Sequence, residues 1–169
     1  DTGFHAYKNQ GGNPPDFTAV TWLDPVWTAL PKHYEEQYMG PARQNDYGFN
    51  LVFRDFDNDG DLDLFISYAW ERFYYFNSYE HTRGGFVAFE NTGTPTSPIL
   101  TRKVEWEEGL REVVIGTLRG DYPMYMVNVA DVDGDGTMEA YVCRKSTQGI
   151  FGYRWNGSSW TLDGKLTTG

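Results

Sequence analysis

Phe49-Asn-Leu-Val-Phe-Arg-Asp55-Phe-Asp-Asn-Asp-Gly-Asp-Leu-Asp63-Leu-Phe-Ile66 lies without a gap over Tyr125-Met-Val-Asn-Val-Ala-Asp131-Val-Asp-Gly-Asp-Gly-Thr-Met-Glu139-Ala-Tyr-Val142, at an offset of 76 residues. The match is an internal repeat. Ahead of each acidic loop, Phe49, Leu51 and Phe53 correspond to Tyr125, Val127 and Val129; behind it, Leu62, Leu64 and Ile66 correspond to Met138, Ala140 and Val142. Apolar residues at every second position predict a strand on each side of each loop.

A second element recurs three times, as Gly3-Phe-His-Ala-Tyr-Lys-Asn-Gln-Gly11, Gly85-Phe-Val-Ala-Phe-Glu-Asn-Thr-Gly93 and Gly149-Ile-Phe-Gly-Tyr-Arg-Trp-Asn-Gly157. Each reads as a strand ending in a glycine turn, followed by a further strand at Phe17–Trp22, Ile99–Trp106 or Trp160–Leu162. One unit is therefore strand, acidic loop, strand, strand, turn, strand, which is a four-stranded propeller-type blade. The expectation is one all-β domain over residues 1–169, of about two and a half blades: a partial blade at 1–22, a full blade at 49–106 and another at 122–162. Residues 23–48 carry Pro25, Pro31 and Pro41 and fit no strand template, and Trp70–Arg83 reads as an aromatic-rich insertion between strands. A closed propeller needs about four to eight blades, so the unit is incomplete alone.

Composition agrees. With 40% hydrophobic and 17% aromatic residues, 169 residues can bury one sizeable core, and 19 Gly with 8 Pro favour short strands and tight turns. A net charge of −10 with 14 scattered basic residues argues against a nucleic-acid partner. No run of about 18 apolar residues appears, so no membrane insertion is expected. The chain opens at Asp1 rather than Met, the expectation for a processed or excised polypeptide. Cys143 is the single cysteine and is expected to be a small buried apolar residue in a strand.

Of the 24 acidic side chains, five lie in Asp55–Asp63 and four in Asp131–Glu139, a crowding that repels itself unless a cation is present. Asp55, Asp57, Asp59 and Asp63 occupy loop positions 1, 3, 5 and 9, with Gly60 at 6 and Asp61 at 7; Asp131, Asp133, Asp135 and Glu139 take the same places, with Gly136 and Thr137 at 6 and 7. Carboxylates on alternate residues of a tight loop can wrap one point, and position 7 can add its backbone carbonyl. Neither loop contains His or Cys, which excludes zinc and copper as natural occupants, and flexible six- to eight-oxygen coordination suits Ca2+ better than Mg2+. Two Ca2+ sites are expected. An EF-hand needs a bidentate Glu at position 12 between helices, whereas position 12 here is Ile66 or Val142 between strands. The closing acid at position 9 makes each loop a clip between neighbouring strands. The plainer alternative is a polar hairpin turn with no metal, which two loops of identical pattern make much the weaker account.

Asp55-Phe-Asp-Asn-Asp-Gly-Asp-Leu-Asp63 and the blade ending Phe89-Glu-Asn-Thr-Gly-Thr-Pro-Thr-Ser-Pro98 resemble the FG-GAP/VCBS repeat family, whose blades build the calcium-binding β-propeller of integrin α subunits and of many secreted microbial proteins. The resemblance covers roughly 120 residues. It implies ligation by the side chains of Asp55, Asp57, Asp59 and Asp63 with the Asp61 carbonyl, and by Asp131, Asp133, Asp135 and Glu139 with the Thr137 carbonyl. Glu139 departs from the family's Asp, which implies a looser or differently coordinated second site.

His5, His33 and His81 stand at no motif spacing, and acids that hold calcium are not free as general acids or bases, so no intrinsic catalysis is expected. Trp70, Phe73, Tyr74 and Tyr75 are candidate contacts for a sugar or a protein, against the simpler alternative of covering a blade edge. Asn156-Gly-Ser158 fits the N-glycosylation pattern. The expected function is an extracellular or cell-surface, calcium-stabilised structural or interaction module for adhesion or self-assembly into rings or filaments. Its partners are then other copies of itself or the rest of a longer propeller protein. The alternative is an accessory carbohydrate-binding domain of a secreted polysaccharide-active enzyme, with glycan as the partner.

Overall fold

A computed structural model of the chain describes residues 5–30, 47–72, 81–111, 126–144 and 149–166. It begins with an antiparallel hairpin, β1 (Ala6–Gly11) and β2 (Asp16–Val20), followed by α1 (Asp24–Ala29). The first sheet is β3 (Tyr47–Arg54), β4 (Asp63–Arg72), β5 (His81–Asn91) and β6 (Leu100–Arg102); a 3-10 turn follows at Val104–Glu107. The second is β7 (Met126–Ala130), β8 (Glu139–Arg144), β9 (Gly149–Trp155) and β10 (Trp160–Leu166). In both sheets neighbouring strands are consecutive in the chain and antiparallel, and neither sheet closes on itself.

The repeat is one hairpin built twice. Leu51 faces Ile66, Phe53 faces Leu64 and Arg54 faces Asp63 across β3–β4; Val127 faces Val142, Val129 faces Ala140 and Ala130 faces Glu139 across β7–β8. The third strands also correspond, since Phe89 lies opposite Leu64 and Tyr153 opposite Ala140. Their offset is 64 rather than 76 residues, the difference being taken up by a longer β4–β5 hairpin.

Several sequence expectations are corrected. Trp70, Glu71 and Arg72 continue β4 and pair with Arg83, Thr82 and His81 of β5, so both ends of the Trp70–Arg83 segment are strand rather than insertion; residues 73–80, with Phe73, Tyr74 and Tyr75, lie outside the described residues. Only Leu100–Arg102 of Ile99–Trp106 is strand, and Trp22 lies beyond β2. The proline-bearing stretch begins with α1, where Pro25 sits in the first turn with Asp24 and Leu23, Val26 and Leu30 are buried. A helix this short offers too few residues for a periodic signal. Tyr47 and Gly48 already belong to β3, and residues 31–46 lie outside the described residues. Cys143 is exposed, because its position in β8 points away from the covered face that Val142 occupies.

Period-two alternation gives the first sheet two apolar faces, and each is covered by a different neighbour. Leu64, Ile66, Tyr68, Val87 and Phe89, with Phe49, Leu51 and Phe53 at their margin, pack under Leu23, Val26 and Leu30, joined by Ala6 and Trp22. On the other face Val52, Phe65, Phe86 and Ala88 meet Val127, Val129, Ala140, Val142 and Tyr153 of the second sheet. Between the sheets lies Phe56, its ring 4.7 Å from Trp106, 5.2 Å from Phe65, 5.4 Å from Trp155 and 5.8 Å from Trp160.

Polar contacts set how the sheets meet. Asn50 and Ser67 are cross-strand partners, and both address Val127 on the edge strand β7: the Asn50 amide donates to the Val127 carbonyl at 2.8 Å, and the Val127 N–H donates to Ser67 Oγ at 3.1 Å. At the other end the Trp160 indole donates to the Trp106 carbonyl at 2.8 Å and the Trp160 N–H to the Glu108 carbonyl at 2.9 Å. Buried polar groups of an edge strand are thereby satisfied across the interface.

Candidate metal centre

Loop 1 (55–63) and loop 2 (131–139) share a backbone path. Position 4 has positive φ in both, Asn58 at 63° and Gly134 at 77°, as does position 6, Gly60 at 95° and Gly136 at 85°. Asparagine and glycine are the residues that adopt that conformation at least cost. The position-1 carboxylate turns into the loop and accepts the position-6 N–H, Gly60 to Asp55 Oδ2 at 3.2 Å and Gly136 to Asp131 Oδ2 at 3.0 Å. The position-5 carboxylate accepts from position 7, Asp61 to Asp59 at 3.0 Å and Thr137 to Asp135 at 2.8 Å. The position-9 acid accepts from position 2, Phe56 to Asp63 and Val132 to Glu139, both at 2.9 Å.

These bonds gather three acids of each loop. Carboxylate oxygens of Asp55, Asp57 and Asp63 lie within 4.8 Å of one another, and so do those of Asp131, Asp133 and Glu139; either group could hold a metal ion through hard oxygen donors. Of the remaining expected ligands, Asp59 and Asp135 are turned to the N–H groups of their own loops.

The two loops differ electrostatically. In loop 1, Asp63 is almost wholly buried at 1% exposure, and burial pushes its carboxyl up to about 6, against the lowering effect of N–H donors from Asn91 and Phe56. Burial first, then the neighbouring Asp59, raises Asp57, with Glu90 and Asp55 adding to it; Asp61 is raised by burial and by Asp59, Asp57 and Asp55. Asp61 is itself buried, and its Oδ1 has no hydrogen-bond partner among the described residues. Among the described residues no cationic side chain is ion-paired to a loop 1 carboxylate; Lys103 bonds Glu90 at 2.6 Å instead. An uncompensated set of this kind fits a bound cation.

In loop 2 a cation is built in. The Arg154 guanidinium reaches Asp133 at 2.5 Å, Asp135 at 2.7 Å and the buried Glu139 at 3.1 Å. The last contact has ion-pair distance but not hydrogen-bond direction, since Glu139 Oε1 lacks a hydrogen-bond partner. Arg154 first, and the Thr137 N–H second, lower the Asp135 carboxyl to about 2. Loop 2 also borders a groove of about 460 Å³ lined by Phe56, Thr137, Arg154, Trp155, Asn156 and Thr161.

Position 9 also acts differently. Asp63 Oδ1 accepts the Asn91 N–H at 2.9 Å, which ties loop 1 to β5. The residue in register with Asn91 on β9 is Trp155, whose N–H goes to the Met138 carbonyl at 2.9 Å. The expected clip to a neighbouring strand is thus made by a backbone hydrogen bond to Asp63, while Glu139 hydrogen-bonds within its own loop and meets β9 only through its ion pair with Arg154.

Elsewhere, Asn156 is exposed in the β9–β10 turn, with its Oδ1 accepting N–H bonds from Ser158 and Ser159 at 3.0 Å each. His5 is exposed, His33 lies outside the described residues, and Trp70 is placed by its backbone in β4. Sequence reading missed Arg154, although the aligned elements Gly85–Gly93 and Gly149–Gly157 already contained the charge reversal, Glu90 against Arg154. No family model matches the chain, and neither a curated protein nor a solved structure matches it.

Proposed function

We propose that the chain is an extracellular, calcium-stabilised structural and interaction module, made of propeller-type blades of the FG-GAP/VCBS kind, that assembles with further blades carried by other copies of itself or by the rest of a longer protein. The observation that carries this reading is the convergence of Asp55, Asp57 and Asp63 in a loop of five aspartates, none of them paired with a cationic side chain among the described residues. Loop 1 offers hard oxygens from Asp55, Asp57, Asp59 and Asp63 with the Asp61 carbonyl, and open sites of this kind suit the millimolar calcium found outside cells. Bound there, Ca2+ would supply charge compensation and hold β3, β4 and β5 together. No catalytic role is assigned to these acids.

Assembly is supported by the direction of stacking. The face of the second sheet that meets the first sheet carries Val127, Val129, Ala140 and Val142, the repeat counterparts of Leu51, Phe53, Leu64 and Ile66, which face the N-terminal unit. The same face is used each time, so the contact is head-to-tail and leaves one unlike face at each end. At one end Met126, Val132 and Ile150 are exposed at the repeat positions of Asn50, Phe56 and Phe86; at the other Tyr7 and Phe17 are exposed on β1 and β2.

Sedimentation velocity over a concentration series, in calcium and then in EDTA at matched ionic strength, tests the reading. Ordered oligomers that EDTA dissolves are the expected result. A compact monomer that EDTA loosens would remove self-assembly and leave calcium; indifference to EDTA would overturn the calcium reading. Binding on a glycan array without assembly would favour the carbohydrate-binding alternative.

A further inference from the structure

The two loops share a backbone path but differ in charge compensation, and the largest part of the difference lies at one register position. Glu90 on β5 and Arg154 on β9 occupy the same register position, each following the residue that faces β4 or β8 at Leu64 or Ala140. Glu90, itself paired with Lys103 at 2.6 Å, adds a sixth carboxylate to the surroundings of loop 1 and no cation. Arg154 brings a guanidinium onto three of the four acids of loop 2, including the buried Glu139.

We infer that Arg154 is the resident cation of loop 2, so that the chain carries one calcium loop, at Asp55–Asp63, and one loop that its own arginine closes. This replaces the expectation of two Ca2+ sites, the second of them looser or differently coordinated. The planar guanidinium spans separate carboxylates with directed N–H donors, which a loop of alternating acids supplies at the right spacing. A calcium ion entering loop 2 has to displace that group or lie beside its positive charge, and either costs affinity. At ion-pair range the repulsion amounts to at least about a tenfold loss relative to a loop without the arginine. Glu139 in place of aspartate fits the same account: the longer side chain brings Oε1 to the guanidinium while Oε2 holds the Val132 N–H. The loop 1 half rests on the proposed function above; the loop 2 half stands without it.

Calorimetric titration of the calcium-stripped chain with CaCl2 alone tests the inference through stoichiometry. The expected result is one tight equivalent for the wild type and two for Arg154→Gln, the second appearing with at least about tenfold higher affinity than any weak second event in the wild type. Wild type binding two equivalents of similar affinity, unchanged in Arg154→Gln, would overturn it and leave the loop 1 reading intact. Wild type binding none and Arg154→Gln binding one would sink the loop 1 reading and uphold the Arg154 assignment. A measurement on the wild type covers the case in which Arg154→Gln fails to fold: the Arg154 side-chain N–H resonances should hold their positions as the first equivalent binds. Their loss or large displacement at that point would show calcium entering loop 2 first and overturn the inference.

Discussion

Asp63 keeps a charge where water barely reaches, with a backbone N–H on each carboxylate oxygen. Those two bonds leave no place for a second donor, so Asp63→Asn would set its amide against either Phe56 or Asn91 and cost about 1–3 kcal/mol in chemical denaturation. The pH dependence follows from the raised carboxyl. Between 3.8 and about 6 the folded calcium-free chain holds a proton that the unfolded chain has released. Stability is then greatest below that window and declines as pH rises through it. Thermal melts in EDTA should show the decline, calcium should flatten it, and a rising melting temperature across the same window would contradict the assignment. The loop acids themselves were legible from spacing alone, because alternate carboxylates round a glycine admit few other purposes. Arg154 was not, because its partners lie 15 to 21 residues away and meet it only through the β8–β9 register.

At the scale of elements, the exit from β6 is shaped by what it must dock against. Trp106 enters the inter-sheet core from the 3-10 turn, and Glu107, fully buried, receives the Arg102 guanidinium on both oxygens at 2.8 and 3.0 Å. Gly109 then takes φ +86° with its Cα against Trp160, where an added Cβ would stand 2.2 Å from the Trp160 carbonyl oxygen. Gly109→Ala should therefore cost more than the roughly 1–2 kcal/mol of a left-handed alanine, read as a lowered denaturation midpoint. A midpoint within error of wild type would mean that the turn can move off β10. The strands flanking the loops were legible because their apolar period is two residues; the 3-10 turn and α1 were not, because each is shorter than the window in which a helical period can be seen.

For the whole molecule, loop 1 and the core are joined through Phe56. Its N–H is held by Asp63, and its ring touches Trp106 of the 3-10 turn and Trp155 and Trp160 of the second sheet. Phe56→Ala should destabilise the chain by about 3–5 kcal/mol. It should also red-shift tryptophan emission in the native baseline, as the three indoles lose their shared neighbour. On the proposed reading, EDTA should move the wild-type emission in the same direction and leave Phe56→Ala nearly unmoved. Equal EDTA responses in both would separate the loop from the core.

The sequence by itself determined the all-β class, the repeated hairpin and the two acidic loops, because these depend on contacts between residues close in the chain: alternation sets the strand faces, and glycine and asparagine set the turns. Only the tertiary structure decided that Asn50 and Ser67 pin Val127, that Cys143 faces outward, and that one loop has an arginine in it. Those outcomes depend on which face meets which neighbour and on the register between strands, and a local pattern carries neither.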